Sequence, residues 1–437
     1  MHGKEEKSGS ESSRAPRIHL ASLGCAKNLV DSERLLARLA TAGGLVGAAE
    51  DDADVIIVNT CGFIGPAIAE SLAVIRDYAS RKRASQKLLV IGCLVERDIE
   101  EIGAEIPEVD GVFGLGRHDE IVAACGLKAE PEDGARLLLT PLHTAYLRIS
   151  DGCDHRCSYC TIPRIRGRFR SRPADEILHE AKQLVELGVR ELNLIGQDTT
   201  SYGKDLPGAP TIEGLLRRIA EIPDLRWLRL LYTHPAYFTD GLIDAYASID
   251  ALCPYVDLPL QHLNDGILRR MGRKATQAES VRLIERLRER VPDVAIRTTF
   301  IVGFPGETRA QFDELVDLVE RLRFDHVGVF RFSSEAGTAA AGMPGQVSER
   351  TKAKREKAVM LAQQRIALEK NRSMLGKVVE VLIDRSTDEP GLWIGRTRTQ
   401  APDVDGVTFV YVNEVTPGDF IDAQIVDVAG YDLIAQA

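Results

Sequence analysis

Cys153-Asp154-His155-Arg156-Cys157-Ser158-Tyr159-Cys160 sets three thiols at C-x-x-x-C-x-x-C spacing. Four thiolates close a cubane iron–sulfur cluster, so three leave one iron with an open position, able to bind a small molecule as well as carry electrons. Zinc is the competing metal. Its structural sites use four ligands, usually two C-x-x-C pairs or added histidines, and His155 inside the loop can be argued as one of them. The surrounding sequence favours the cluster. Tyr146–Ile149 reads as a strand entering the loop, and strand–helix units trail it.

Those units run through Ala174–Leu187 (helix), Glu191–Ile195 (strand), Ile212–Ile219 (helix), Trp227–Leu231 (strand), Asp240–Ala247 (helix) and Tyr255–Leu258 (strand). Ala278–Glu289 (helix), Ala295–Val302 (strand), Ala310–Arg321 (helix) and His326–Phe330 (strand) complete them. Six or so such units predict a partial or complete parallel barrel, with its chemistry at the carboxyl ends of the strands. The cysteine loop leaves the first strand at that end.

Upstream, from about Arg17 to Cys125, apolar runs again alternate with helical stretches. Ile18–Leu23, Asp54–Asn59 and Lys87–Ile91 read as strands, Asp31–Ala42 and Gly65–Arg83 as helices, which implies a parallel α/β sheet. Each strand ends within one or two residues of a cysteine: Cys25, Cys61 and Cys93, spaced 36 and 32 residues apart. Parallel strands share one carboxyl edge, where open α/β sheets build ligand sites. Free cysteines are often merely buried, but three repeats of one placement point to a second three-cysteine cluster site. Cys125 and Cys253 lack that context and read as buried or incidental thiols.

Composition bounds the rest. The chain has 437 residues, enough for two or three domains, and a net charge of −10, which excludes an indiscriminate nucleic-acid binder. No apolar run is long enough to span a membrane, and no secretory signal precedes the cysteines, so a reducing cytoplasmic setting is expected. The domains expected are a disordered tail over 1–16, an α/β domain over 17–125, a Pro/Gly-punctuated linker over 126–144, a barrel core with a basic helix over 145–372, and a small barrel over 374–437. The last is read from five short β-like runs, an OB-like pattern. From Met374 to Ala437 there are four basic residues against eleven acidic ones.

The cysteine loop, with an aromatic Tyr159 before its last cysteine, resembles the signature of radical S-adenosylmethionine (SAM) enzymes. In these the open iron chelates the amino and carboxylate groups of SAM. The resemblance implies SAM contacts from Tyr159, from Gln197 at a strand end, and from Gly303 and Glu307 of Gly303-Phe304-Pro305-Gly306-Glu307, a glycine turn that permits close backbone approach. Five arginines between Arg164 and Arg172 flank the loop and could pair with an anion.

The chain as a whole resembles the methylthiotransferase family of radical SAM enzymes, in an N-terminal domain with three dispersed cysteines, a radical SAM core and a C-terminal TRAM domain. The matching stretches are Leu23–Asn28, Asn59–Phe63, Ile91–Leu94, the cysteine loop with Thr161-Ile162-Pro163, Pro259–His262, Gly303–Glu307 and Phe332–Thr338. The resemblance implies two 4Fe-4S clusters, one held by Cys25, Cys61 and Cys93 and one by Cys153, Cys157 and Cys160. One SAM would give a methyl group and another a 5′-deoxyadenosyl radical, with an electron donor such as flavodoxin or ferredoxin and a sulfur donor as partners. Family members act on an aspartate of ribosomal protein S12 (RimO type) or on a tRNA adenosine (MiaB-like). An acidic C-terminal module repels phosphates and suits a basic protein, so the RimO type is expected, with the tRNA enzyme as the alternative.

Overall fold

Val55–Thr60 shows how the first sheet is specified. Every residue of this strand is buried, and its side chains alternate between two apolar layers. Ile56 and Val58 join Ile75, Tyr78, Leu94, Val95 and Ile102, whereas Val55 and Ile57 join Leu35, Leu39, Ile121 and Val122. A strand buried on both faces needs helices on both. The computed structural model describes residues 14–130 and 134–437, so most of the expected tail lies outside the described residues. It divides into two compact units at Leu137/Leu138.

In the first unit five strands, β1 (Arg17–Ser22), β2 (Leu45–Val46), β3 (Val55–Thr60), β4 (Lys87–Gly92) and β5 (Gly111–Phe113), lie in the order β2-β1-β3-β4-β5, all parallel. Helices α1 (Ala26–Thr41), α2 (Gly65–Arg81), α3 (Val95–Glu105) and α4 (His118–Ala124) cover the faces. The strand order reverses between β1 and β3, which makes their carboxyl ends a topological switch point. Cys125 belongs to the core beneath α1 and α4, and burial pushes its thiol up to about 11. Part of the expected linker is strapped to this unit: Arg136 pairs with buried Glu33 of α1.

The second unit holds the six-stranded parallel sheet β6 (Thr144–Arg148), β9 (Glu191–Ile195), β10 (Trp227–Leu230), β11 (Leu252–Asp257), β12 (Ala295–Val302) and β13 (His326–Arg331), in sequence order from one edge to the other. It is an open, partial barrel. A short antiparallel pair, β7 (Ser150–Asp151) with β8 (Arg170–Ser171), frames the cysteine loop. Strands β14 (Val378–Ser386), β15 (Leu392–Thr397), β16 (Thr408–Tyr411), β17 (Phe420–Ala429) and β18 (Asp432–Gln436) close into a five-stranded barrel.

This small barrel sends the segment from Arg396 to Asp405 into the open barrel, on strand positions toward the amino ends. Glu191, fully buried, accepts from Arg229 at 2.7 Å and from Arg396 at 2.7 and 3.0 Å. Arg229 also donates to the carbonyl oxygens of Arg398 and Thr397. Tyr146 donates to Asp403 at 3.2 Å and Tyr255 to Asp405 at 2.6 Å. Burial pushes the Glu191 carboxyl up, but the Arg396 and Arg229 charges outweigh it and hold it well below the usual carboxylate range. Arg396→Ala therefore leaves a buried carboxylate half-compensated, and is expected to cost about 3–5 kcal/mol in urea unfolding. A loss within about 1 kcal/mol of zero would show that the ion pair is not what seats the small barrel.

Candidate metal centres and their surroundings

Cys25, Cys61 and Cys93 each follow a strand of the first sheet. The register pairs Ser22 with Asn59, and Thr60 with Gly92, so the three chain ends emerge side by side at the carboxyl edge. Asn28, fully buried in the first turn of α1, ties them together. Its Nδ2 donates to the carbonyls of Leu23 (3.1 Å) and Thr60 (2.8 Å), and its Oδ1 accepts from Cys93 Sγ at 3.2 Å. Asn59 donates in turn to the Asn28 carbonyl and to Ser32. Gly24, at φ +88°, passes so close that a Cβ there would lie 2.8 Å from Cys61 Cβ. The three cysteines are free thiols, graded from exposed Cys25 to buried Cys93.

In the second unit, Cys153, Cys157 and Cys160 are also free thiols. Their loop is clamped at both sides. Cys153 N donates to the Gly167 carbonyl, and Ser158 N to the Met271 carbonyl. Burial pushes the Cys153 thiol up to about 11 and the Cys160 thiol up to about 12. Desolvated thiols of this kind ionise when a metal takes their protons' place. Among the described residues no three His, Cys, Asp or Glu side chains close around a single ion. Each triad is an open set of soft sulfur donors, which fits a multi-iron cluster supported on three corners.

His155 is not aimed at the thiols. Its Nε2 bonds Asp198 at 2.7 Å, and its ring stacks on His234 (centroids 4.5 Å) and Tyr237 (5.4 Å). Asp198 also accepts from the hydroxyls of Thr200 and Ser201, at 2.5 Å each. Burial would push its carboxyl up, but the His155, Ser201 and Thr200 hydrogen bonds bring it down to about 2. Burial and the Arg273 charge push His234 down to about 2, so its ring is neutral. Sequence reading set Asp198 beside Gln197 in a strand-end segment whose polar side chains could reach SAM, and gave His234, Tyr237 and Asn28 no role of their own. Their signal was position: each follows a strand's carboxyl end.

Of the residues proposed for SAM, Gln197 is half-buried at the carboxyl end of β9. Gly303 turns at φ +74°, and Lys352 fills the space a Cβ would take there. Tyr159 packs with Phe304, Phe332, Ile267 and Met271. Glu307 is buried: its Oε2 accepts the Gly303 amide and pairs with Arg355 at 3.2 Å, and its Oε1 lies 3.6 Å from His262 Nε2. Tyr159, Gly303 and Glu307 thus share one apolar-backed turn, and Gln197 stands at another strand end. The basic helix Glu349–Arg372 supplies Lys352 and Arg355, so part of its charge supports this turn. The arginine run is largely engaged locally: Arg164 with the Ala336 carbonyl, Arg166 with Asp151, Arg168 with Asp154, and Arg172 with Glu180.

Comparison with known proteins gives the same three parts. The Radical SAM superfamily matches residues 147–319, the Uncharacterized protein family UPF0004 residues 17–114, and the TRAM domain residues 375–437. The chain is 44% identical to the ribosomal protein uS12 methylthiotransferase RimO of Geobacter sulfurreducens, over 96% of this chain and 98% of that one. It is 45% identical to the protein of the same description from Geotalea uraniireducens, with the same coverage. Among solved structures, the radical S-adenosylmethionine methyltransferase TsrM of Kitasatospora setae, with cobalamin and a 4Fe-4S cluster bound, aligns over 87% of this chain and 77% of its own. The TM-score is 0.54 at 16% identity, a likeness of fold.

Two outcomes follow from these contacts. Asn28→Ala strips the strand ends of their shared clamp, at about 1–3 kcal/mol for the orphaned carbonyls. After anaerobic reconstitution it is expected to lose the iron that Cys25→Ala loses and to retain the iron that Cys153→Ala loses. Full iron content in Asn28→Ala would refute the clamp. Asp198 has a folded pKa below its unfolded one, so its contribution is present above about pH 4 and fades as pH falls toward about 2. Asp198→Asn should therefore lower stability by about 2 kcal/mol at pH 7, with the gap from wild type closing in acid. A gap that is independent of pH would count against the carboxylate.

Proposed function

Because the chain belongs to the RimO-type family of ribosomal protein uS12 methylthiotransferases, we propose that it replaces a hydrogen on the β-carbon of an aspartate in ribosomal protein uS12 with a methylthio group. The observation that carries this reading is the pair of cysteine triads, each on the carboxyl edge of a parallel sheet. When bound, the two 4Fe-4S clusters and SAM supply radical cleavage of one SAM, methylation of a sulfur by another, and delivery of that sulfur. The chain's own residues do the rest. Cys153, Cys157 and Cys160 would hold one cluster and leave a corner for SAM, and Cys25, Cys61 and Cys93 would hold the other and leave a corner for sulfur. Gln197 and the Gly303 turn would line the SAM pocket, with Tyr159 packed behind and Glu307, which takes the Gly303 amide, fixing the turn.

The charge of the small barrel supports a protein target. Glu380, Asp384, Asp403 and Asp405 are spent on Arg226, Arg396, Tyr146 and Tyr255. Asp388, Glu389, Glu414, Asp419, Asp422 and Asp427 remain exposed, against exposed Lys377 and Arg385. The outward surface is thus acidic after internal pairs are discounted, which disfavours a phosphate backbone and favours a basic ribosomal protein. Among the described residues no helix is long and apolar enough to cross a membrane, in keeping with a cytoplasmic enzyme that draws electrons from a carrier such as flavodoxin or ferredoxin and sulfur from a separate donor.

The test is anaerobic turnover of the reconstituted protein with SAM, dithionite and sulfide, offered uS12 and unmodified tRNA in parallel. Mass spectrometry is expected to find the methylthio adduct on the uS12 aspartate, and none after Cys93→Ala or Cys157→Ala. An adduct on tRNA adenosine with uS12 unchanged would overturn the substrate assignment.

A further inference from the structure

Three cations gather at the carboxyl ends of β9, β10 and β11 without a carboxylate partner among the described residues. Lys204 Nζ sits 3.7 Å from the Tyr237 ring centroid and donates to Ser201 Oγ at 3.2 Å. Lys274 Nζ donates to the Tyr237 hydroxyl at 2.7 Å. Arg273 donates to the Pro259 carbonyl, and its charge is felt at both Cys160 and His234. Elsewhere around the loop, cations such as Arg166, Arg168 and Arg172 are paired with acids. Asp198, whose charge reaches Lys204, is already occupied by His155, Thr200 and Ser201. Two ammonium groups held on one ring repel each other, and an anion between them relieves that repulsion.

The position of this ring is fixed. Tyr237 stacks on His155, which lies between Cys153 and Cys157, so the lysines stand one ring outward from the cysteine loop. Arg273, whose charge is felt at Cys160 and whose guanidinium donates to the Pro259 carbonyl, is left out of this pair. We propose that Lys204 and Lys274, with Tyr237 between them, form the seat for the side-chain carboxylate of the target aspartate, and so select aspartate over asparagine. This rests on the reading of uS12 as substrate. Two charge-assisted hydrogen bonds would hold the carboxylate, fixing the adjacent β-carbon near the loop. Both lysines are exposed, so removing their charge spares the core.

The experiment uses the full-length protein and labelled uS12 peptides carrying either the target aspartate or asparagine. Fluorescence anisotropy with wild-type protein is expected to show about tenfold tighter binding of the aspartate peptide. In Lys204→Met/Lys274→Met that preference disappears, while the affinity of the reconstituted variant for SAM stays at the wild-type value. Retention of the aspartate preference in the double variant overturns the seat. A fall in SAM affinity also overturns it, assigning the cations to the SAM carboxylate. Wild-type enzyme that methylthiolates uS12 yet binds both peptides equally sinks the seat alone. Wild-type enzyme that leaves uS12 unmodified sinks the substrate reading and the seat with it.

Discussion

Parallel strands all run one way, and the chemistry of this protein depends on that constraint. A parallel sheet gathers the carboxyl ends of distant segments on one edge, so residues 36 and 32 apart in sequence can serve one centre. In the first unit the reversal of strand order between β1 and β3 adds a gap between diverging connections, and Cys25 and Cys61 flank it. Backbone geometry alone does not finish the site. Asn28 reaches the Leu23 and Thr60 carbonyls and the Cys93 sulfur, converting three chain ends into one platform. In the second unit the same polarity brings the cysteine loop, Asp198, His234 and Arg273 to one edge.

The opposite end of the open barrel is closed by charge. A partial barrel leaves inward polar groups at the amino ends of its strands, and burying them unpaired would be costly. The small C-terminal barrel supplies the missing partners: Arg396 for Glu191, Asp403 for Tyr146, and Asp405 for Tyr255, His326 and Arg297. This changes how its composition is read. Eleven acids against four bases suggested an acidic surface outright, yet Glu380, Asp384 and Asp405 are drawn into internal pairs, and exposed Asp403 also accepts from Tyr146. The exposed remainder is still acidic, so the conclusion stands on fewer residues than the count implied.

Strand periodicity made both sheets legible, because runs such as Val55–Thr60 and Ala295–Val302 are apolar, bounded and repeated at regular intervals. The cysteines were legible for the same reason: each marks a strand end or sits at fixed spacing. Elements of two or three residues, β2, β5, β7 and β8, were not, since their strand character comes from neighbours already in place. Helix α3 was not read either, although Val95, Ile99, Ile102 and Ile106 recur at helical spacing. Asn28 was visible only as part of a family-like stretch, and nothing local distinguishes a clamp from a helix-start asparagine. Glu307 shows the limit from the other side. Its place beside a glycine turn marked it for ligand contact, whereas its carboxylate is turned onto its own loop and Arg355.

Charge in a sequence is most conspicuous where it is densest, and density is a poor guide to function here. The arginines from Arg164 to Arg172 lie beside the cysteine loop, yet four of the five are bound to acids or carbonyls that shape that loop. Lys204 and Lys274 are 70 residues apart in sequence and stand out in no window. They meet because β9, β10 and β11 are neighbours, and they meet on an aromatic ring, which offers an ammonium partial compensation without neutralising it. A cation paired with a carboxylate has little left to offer a ligand. A cation held in place by a ring and a hydroxyl keeps its charge available, and that distinction is invisible until the fold decides which acids each base can reach.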